Sequence, residues 1–183
     1  IFVTTDDKDI MELAIYHKIN VIKRPKNLST DLATSESALL HALDVINDKY
    51  SIYPDIIVFI QATSPLRKSD DISNAIDYFN DEKADSLFSV TSIADLTIWK
   101  SNNNKWESLN FNYKDRKRRQ DMPKNYIENG SIYILKPDIL KRYNNRLGGK
   151  IVTYEMEFWQ TWEIDSIDEI DLVEFYMRKY KLD

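Results

Sequence analysis

Apolar positions along the chain follow two rhythms, short continuous runs and stripes at helical spacing, and they alternate. Phe2-Val3-Thr4-Thr5 reads as the end of a strand. Asp6 or Asp7 can cap a following helix whose apolar face is Ile10, Met11, Ala14 and Ile15. Val21-Ile22 is a short strand closed by Arg24-Pro25, and a polar loop runs from Lys26 to Thr34. Ala38, Leu39, Ala42, Leu43 and Ile46 mark a second helix. Ile56–Ile60 is an unbroken apolar run, which predicts the most buried strand, covered on both faces. Ser69 caps a third helix, with Asp70 and Asp71 in its positive first turn and Ile72, Ala75, Ile76 and Phe79 inward. Leu87–Thr91 is the next strand. Residues 93–126 turn irregular, polar and aromatic, with Asn102-Asn103-Asn104 as a hairpin tip. Ser131–Leu135 returns to a strand, and Pro137 opens a short helix to Tyr143. Gly148-Gly149 turns the chain into strand Ile151–Met156. Ser166 and Glu169 form a capping box for a last helix on Ile170, Val173, Met177 and Tyr180. Strands alternating with helices predict a three-layer α/β fold around a mostly parallel, doubly wound sheet. The 93–126 stretch is too long for an ordinary connection and reads as a lid, an oligomerisation arm or both.

Composition narrows this picture. At 183 residues and 43% hydrophobic content the chain can bury one core, so a single domain over 1–183 is expected. The net charge of −5 disfavours nucleic-acid binding, but it is uneven. Lys114–Lys124 holds six positive residues against two Asp, which reads either as a solvated loop or as an anion clamp. The absence of cysteine excludes disulfides and thiolate metal sites and fits a reducing cytoplasm. No run reaches the roughly 20 apolar residues of a membrane span, and no secretory signal opens the chain. The three glycines, at 130, 148 and 149, cannot form a glycine-rich phosphate loop. The chain begins at Ile1 rather than Met, so an incomplete translation product is expected, with any such loop outside it.

Three constellations carry candidate chemistry. Gln61-Ala62-Thr63-Ser64-Pro65-Leu66-Arg67 leaves the Ile56–Ile60 strand, where open α/β sheets bind ligands. Its hydroxyls and the forked Arg67 donor suit phosphate or carboxylate, or the run is simply a capped turn. Arg118-Arg119-Gln120-Asp121-Met122-Pro123 concentrates positive charge ahead of Asn129-Gly130-Ser131-Ile132-Tyr133-Ile134. Glu163 and Asp165 flank Ile164; on an extended segment they face the same way and can hold a hard cation, or they are a solvated acidic helix entry. His17 and His41 lie in helical segments without partners at metal spacing.

Taken in order, these pieces resemble the acylneuraminate cytidylyltransferases (CMP-sialic acid synthetases). The matching residues are Val3-Thr4-Thr5-Asp6, Arg24-Pro25, Leu28-Ser29-Thr30-Asp31-Leu32-Ala33-Thr34-Ser35, Gln61–Arg67, Arg118–Pro123, Asn129–Ile134 and Ile164-Asp165. The resemblance implies a Rossmann-like nucleotidyltransferase fold with a protruding dimerisation arm at 93–126. It implies transfer of CMP from CTP to a nonulosonic acid, with Mg²⁺, in a homodimer. By the same resemblance Arg24, Ala33, Thr34 and Ser35 would hold the cytidine. Gln61, Arg119, Asn129 and Tyr133 would bind the sugar. Asp165 and Arg119 would be catalytic, and Asp165 and Glu163 would bind metal, Glu163 standing where the family has Asp. Ile127 stands where some members have Arg. The family's first strand and phosphate loop would precede Ile1, so these 183 residues alone are expected to turn over negligibly. The sugar stays open among N-acetylneuraminic, legionaminic, pseudaminic and related acids. A non-catalytic sugar-nucleotide-binding or dimerisation fragment is the alternative reading.

Overall fold

A computed structural model describes residues 1–93 and 96–182, with the Arg119 side chain outside the description. Strands β1 (Phe2–Thr5) and β2 (Asn20–Lys23) pair in parallel, joined by α1 (Lys8–Tyr16). Asp7 caps α1, accepting from the Asp9 and Ile10 amides. Of the expected apolar face only Ala14 is buried; Ile10 and Ile15 remain 49% and 63% exposed. Helix α2 (Ser35–Tyr50) begins at Thr34, whose hydroxyl accepts from Ser37 N, and buries Ala38, Leu39, Ala42 and Leu43 as the spacing predicts.

Then come β3 (Ile57–Ile60), α3 (Asp71–Asp81) and β4 (Ser86–Ser92). The hairpin β5 (Trp99–Asn102) and β6 (Lys105–Ser108) follows. The chain finishes with β7 (Tyr126–Leu135), α4 (Pro137–Tyr143), β8 (Ile151–Met156) and α5 (Asp168–Tyr180). The main sheet has the order β3-β7-β4-β8. β4 pairs β8 in parallel, whereas β7 runs against both β3 and β4. Three of its four strands therefore share one direction, but the sheet is mixed rather than simply doubly wound. The cause is the excursion after β4: it returns at the same end of the sheet, so the chain re-enters in the opposite sense.

Alternate residues of β7 feed two cores. Ile132 and Ile134 join Ala75, Phe79, Ala84, Leu87 and Met156 on the α3 face. Leu135 joins Leu39 and Leu140 on the α2/α4 face, with Ile57 and Phe59 packed against them. These are the expected three layers. The Ile56–Ile60 reading needs correction. Of this run β3 takes Ile57–Ile60, and it lies at the sheet edge, half-buried, with Ile60 36% exposed. The most enclosed strand is the second half of β7, where Ile132, Ile134 and Leu135 are fully buried. An apolar run reports what a strand packs against, not how many strands flank it.

The hairpin tip falls where expected, with Asn103 and Asn104 at φ +47° and +63°, the left-handed pair that Asn tolerates. Trp99 packs against Phe111 and Tyr113, while Trp106, Leu109 and Tyr113 are 66%, 56% and 49% exposed. No helix among the described residues is long and apolar enough to cross a membrane.

Candidate active site at the carboxyl ends of the strands

β3, β4 and β8 all end on one side of the sheet, and β7 begins there. At that end β7 is irregular. Phe88 pairs with Tyr133 and Val90 with Glu128, so Asn129–Ile132 stand opposite Ser89 alone. Such a bulge re-aims backbone and side chains, a recurrent device beside binding sites. Ser89 fills the gap, its hydroxyl donating to Asn129 Oδ1 (2.5 Å) and accepting from Ile132 N (2.8 Å). Asn129 is 1% exposed, and its amide donates to Met156 Sδ (3.3 Å).

Gly130 sits in the bulge at φ +64°, a conformation open to glycine at no steric cost. A Cβ there would lie 2.0 Å from Glu163 Oε1 and 3.3 Å from Ser64 Oγ. The missing side chain is thus the space in which the Glu163 carboxylate rests. Ser64, buried in the loop after β3, donates to that carboxylate at 2.9 Å. One residue on, Ile164 N donates to Thr63 O at 2.8 Å. Three of the sequence constellations, Gln61–Arg67, Asn129–Ile134 and Glu163–Asp165, therefore meet at one point.

Arg67 is half-buried, and one arm of its fork, Nη1, donates to Ser64 O and to Ser131 Oγ (3.2 Å), clamping the loop to the bulge. Burial pulls its pKa down and Asp71 opposes that. That arm serves the loop rather than the phosphate or carboxylate its chemistry also suits. Tyr133 is likewise 3% exposed, with its hydroxyl donating to Glu128. Burial, then that hydrogen bond, raise its pKa well above the usual phenol range. In this arrangement Asn129 and Tyr133 shape the site from beneath its surface.

Gln61 is half-buried at the start of its loop. Asp165 is exposed, its amide donating to Glu169 Oε2 (2.7 Å). Glu169 also accepts from Ser166 N, and the Asp165 amide first, then Ser166, hold its carboxyl below the ordinary range. This is one arm of the expected capping box; the helix itself starts two residues later, at Asp168. Ala33, Thr34 and Ser35 form the entry to α2, beside the 93% exposed Leu32. Arg24 reaches back to Thr4 O (2.8 Å), leaving its Nε buried without a partner among the described residues. Arg119 opens a short 3₁₀ turn, Arg119–Asp121; the expectation for its side chain lies outside the described residues. Among the described residues, no three His, Cys, Asp or Glu side chains gather as a metal cage. Glu163 and Asp165 nevertheless fit Mg²⁺ chemistry, because that ion commonly takes one or two carboxylates and completes its shell with substrate phosphates and water.

Sequence reasoning missed Glu36 and Arg146, which pair across 110 positions, and Glu128, which accepts from the Tyr133 hydroxyl. It also missed the Gly130 cradle, for which a signal existed: an isolated glycine in a strand pattern marks a bulge or a close approach.

An open α/β sheet whose chemistry-bearing loops converge at the carboxyl ends of its strands defines a ligand-binding α/β domain. The chain belongs to the cytidylyltransferase family, whose profile matches residues 1–179. It is 30% identical over 173 residues to the N-acylneuraminate cytidylyltransferase of Streptococcus agalactiae serotype III, a match covering 92% of this chain and 40% of that protein. The chain thus spans well under half of these streptococcal relatives. It is 27% identical to the post-translational flagellin modification protein B of Campylobacter coli, covering 100% of this chain and 78% of that one. It is also 28% identical over 138 residues to the pseudaminic acid cytidylyltransferase of Campylobacter jejuni, covering 73% and 58%. The fold matches a CMP:2-keto-3-deoxy-manno-octonic acid synthetase solved with CTP, at TM-score 0.61 and 14% identity over 98% of this chain and 80% of that one. It matches a 4-diphosphocytidyl-2C-methyl-D-erythritol synthase from Anaerococcus prevotii at TM-score 0.62 and 11% identity, over 97% and 80%.

Proposed function

We propose that the protein transfers a cytidylyl group from CTP to a nonulosonic acid, a sialic-acid-like 2-keto sugar acid, releasing pyrophosphate. One observation carries the reading. In a chain of the cytidylyltransferase family, the loop after β3, the β7 bulge and the Glu163–Asp165 segment close on the Ser64–Glu163–Gly130 contact. The names of the Streptococcus and Campylobacter relatives support the substrate class.

In this reaction the anomeric hydroxyl attacks the α-phosphorus and the bond to the β,γ-diphosphate breaks, with the hydroxyl proton passing to a base or to water. The protein's tasks are positioning and charge stabilisation. Arg24 and the Ala33-Thr34-Ser35 entry to α2 hold the cytidine side. Gln61 and Arg119 hold the sugar, with the Arg119 fork matched to its carboxylate. Asn129 and Tyr133 fix the floor beneath it. Glu163 and Asp165 are the residues that would hold Mg²⁺, which would supply charge neutralisation at the phosphates.

The exposed apolar surface of the 93–126 excursion supports a homodimer built on that arm. Incubation of the full protein with CTP and a panel of nonulosonic acids tests the reading. Formation of a CMP-sugar with equimolar pyrophosphate is expected, and absence of product with every acid would overturn it.

A further inference from the structure

Arg146 lies in the loop between α4 and β8, in none of the sequence motifs, yet it ties α2, β3 and β7 together. Its Nε donates to Glu36 Oε1 at 2.7 Å. The two side chains are only 20% and 15% exposed, so this pair is far less screened than an ordinary surface pair. The guanidinium carbon sits 4.7 Å from the centre of the Tyr133 ring and 5.4 Å from that of Phe59. Phe59 and Tyr133 are register partners on β3 and β7, and their rings stack at 5.8 Å. Arg146 thus caps a cross-strand aromatic ladder while holding the first turn of α2. A flat, delocalised cation is the one side chain suited to both tasks: it stacks over a ring and still donates in its plane.

The position of this clamp matters. Glu36 directly follows Ala33-Thr34-Ser35, and Thr34 is the cap of α2. Tyr133 lies three residues beyond the Gly130 cradle, and its hydroxyl meets Glu128 just before it. On the cytidylyl-transfer reading above, one end of the clamp is the nucleotide side and the other is the floor beneath the acceptor. We propose that Arg146 is a positioning residue for CTP: it sets the α2 entry against the β3–β7 ladder, so that the cytidine-holding turn stands in register with the Glu163 carboxylate. Arg146 touches neither substrate; it acts through Glu36.

Steady-state kinetics of the full protein test this with Arg146→Ala, Arg146→Lys, Glu36→Gln and the Arg146→Ala/Glu36→Gln double variant. Thermal melting runs alongside. Losing one charge-assisted contact predicts a KM for CTP raised about tenfold and a KM for the acceptor changed by less than about twofold. Arg146→Lys keeps the charge but loses the stacked plane, so its CTP KM stays raised. The double variant is no worse than either single one, because each single change already opens the same clamp. A merely structural loosening would lower the active fraction, cutting kcat with both KM values unmoved. If the isosteric Glu36→Gln, which is the mildest change, matches the parent in CTP KM, or if the two single effects add, the proposal is wrong. A parent protein that saturates with CTP beside unaffected variants overturns this role alone. A parent that never saturates with CTP overturns the transfer reading and this proposal with it.

Discussion

Gly130→Ala places the smallest possible side chain where the structure leaves room for none. Two costs arise, and they can be separated. The backbone cost comes from φ +64°: a non-glycine residue held there loses about 1–2 kcal/mol. The contact cost comes from Glu163 Oε1, which would stand 2.0 Å from the new Cβ. That atom is the far end of a flexible side chain, so it moves rather than overlapping. Its movement breaks the 2.9 Å Ser64 hydrogen bond, a charge-assisted contact of roughly 1.5–3 kcal/mol before solvent screening. Together these predict a loss of about 2.5–5 kcal/mol before screening, or on the order of 5–20 °C in Tm for a chain of this size. The assay is a melting cycle with Gly130→Ala, Glu163→Ala and the double variant, with activity measured in parallel. In the Glu163→Ala background Gly130→Ala should cost only the backbone share, about 1–2 kcal/mol. In the parent background it should remove most activity as well. Equal costs in both backgrounds would mean that Gly130 serves the turn alone and does not cradle the carboxylate.

Asp165→Asn should nearly abolish activity and weaken the Mg²⁺ dependence of rate while leaving the melt unchanged, since Asp165 is exposed; Glu163→Gln should cost less, and an unchanged Mg²⁺ titration in Asp165→Asn would show the pair to be only a helix entry. Arg119→Ala should raise KM for the sugar about ten- to a hundredfold, as loss of a charge-assisted contact predicts, with CTP little affected; equal losses for both substrates would make it structural. Ser89→Ala should destabilise by about 1–3 kcal/mol, because it strands the buried Ile132 amide and leaves Asn129 Oδ1 with only the longer Ser131 amide contact (3.4 Å); an unchanged melt would remove the bulge argument. Glu36 titrates below the ordinary carboxyl range: burial alone would raise it, but the hydrogen bond and charge of Arg146 outweigh that. A depressed folded-state pKa contributes stability above the unfolded carboxyl range and loses it as pH falls through the folded value. Melting from neutral pH downward should therefore show Glu36→Gln weaker at neutrality and converging with the parent in acid; parallel curves would contradict the clamp.

Local periodicity revealed most of the elements. Pro137–Tyr143 and Ile151–Met156 fall where the pattern puts them, and Ala75 and Phe79 face inward at their helical spacing. Sheet order was not legible, because apolar content is the same for a central and an edge strand: β3 reads as the most buried strand yet, among the described residues, has one neighbour, while β7 is split by a bulge its sequence hints at only through Gly130. The site was legible where its chemistry is local. Gln61–Arg67 and Glu163–Asp165 stand out by residue type, and Ser64 meets Glu163 as two halves of one contact. Long-range pairing hid the rest. Nothing near Arg146 in the sequence announces Glu36, 110 positions away, and nothing near Arg67 announces that Ser131 would accept from its Nη1.

The most direct test of the account is a nucleotide and acceptor panel on the full protein, with CTP, UTP, ATP and GTP against several nonulosonic acids, reading pyrophosphate release and the CMP-sugar by mass. The account predicts release that requires CTP, requires a nonulosonic acid, and falls to background in Asp165→Asn. Release with another nucleotide in preference to CTP, or release independent of the acid, would contradict it.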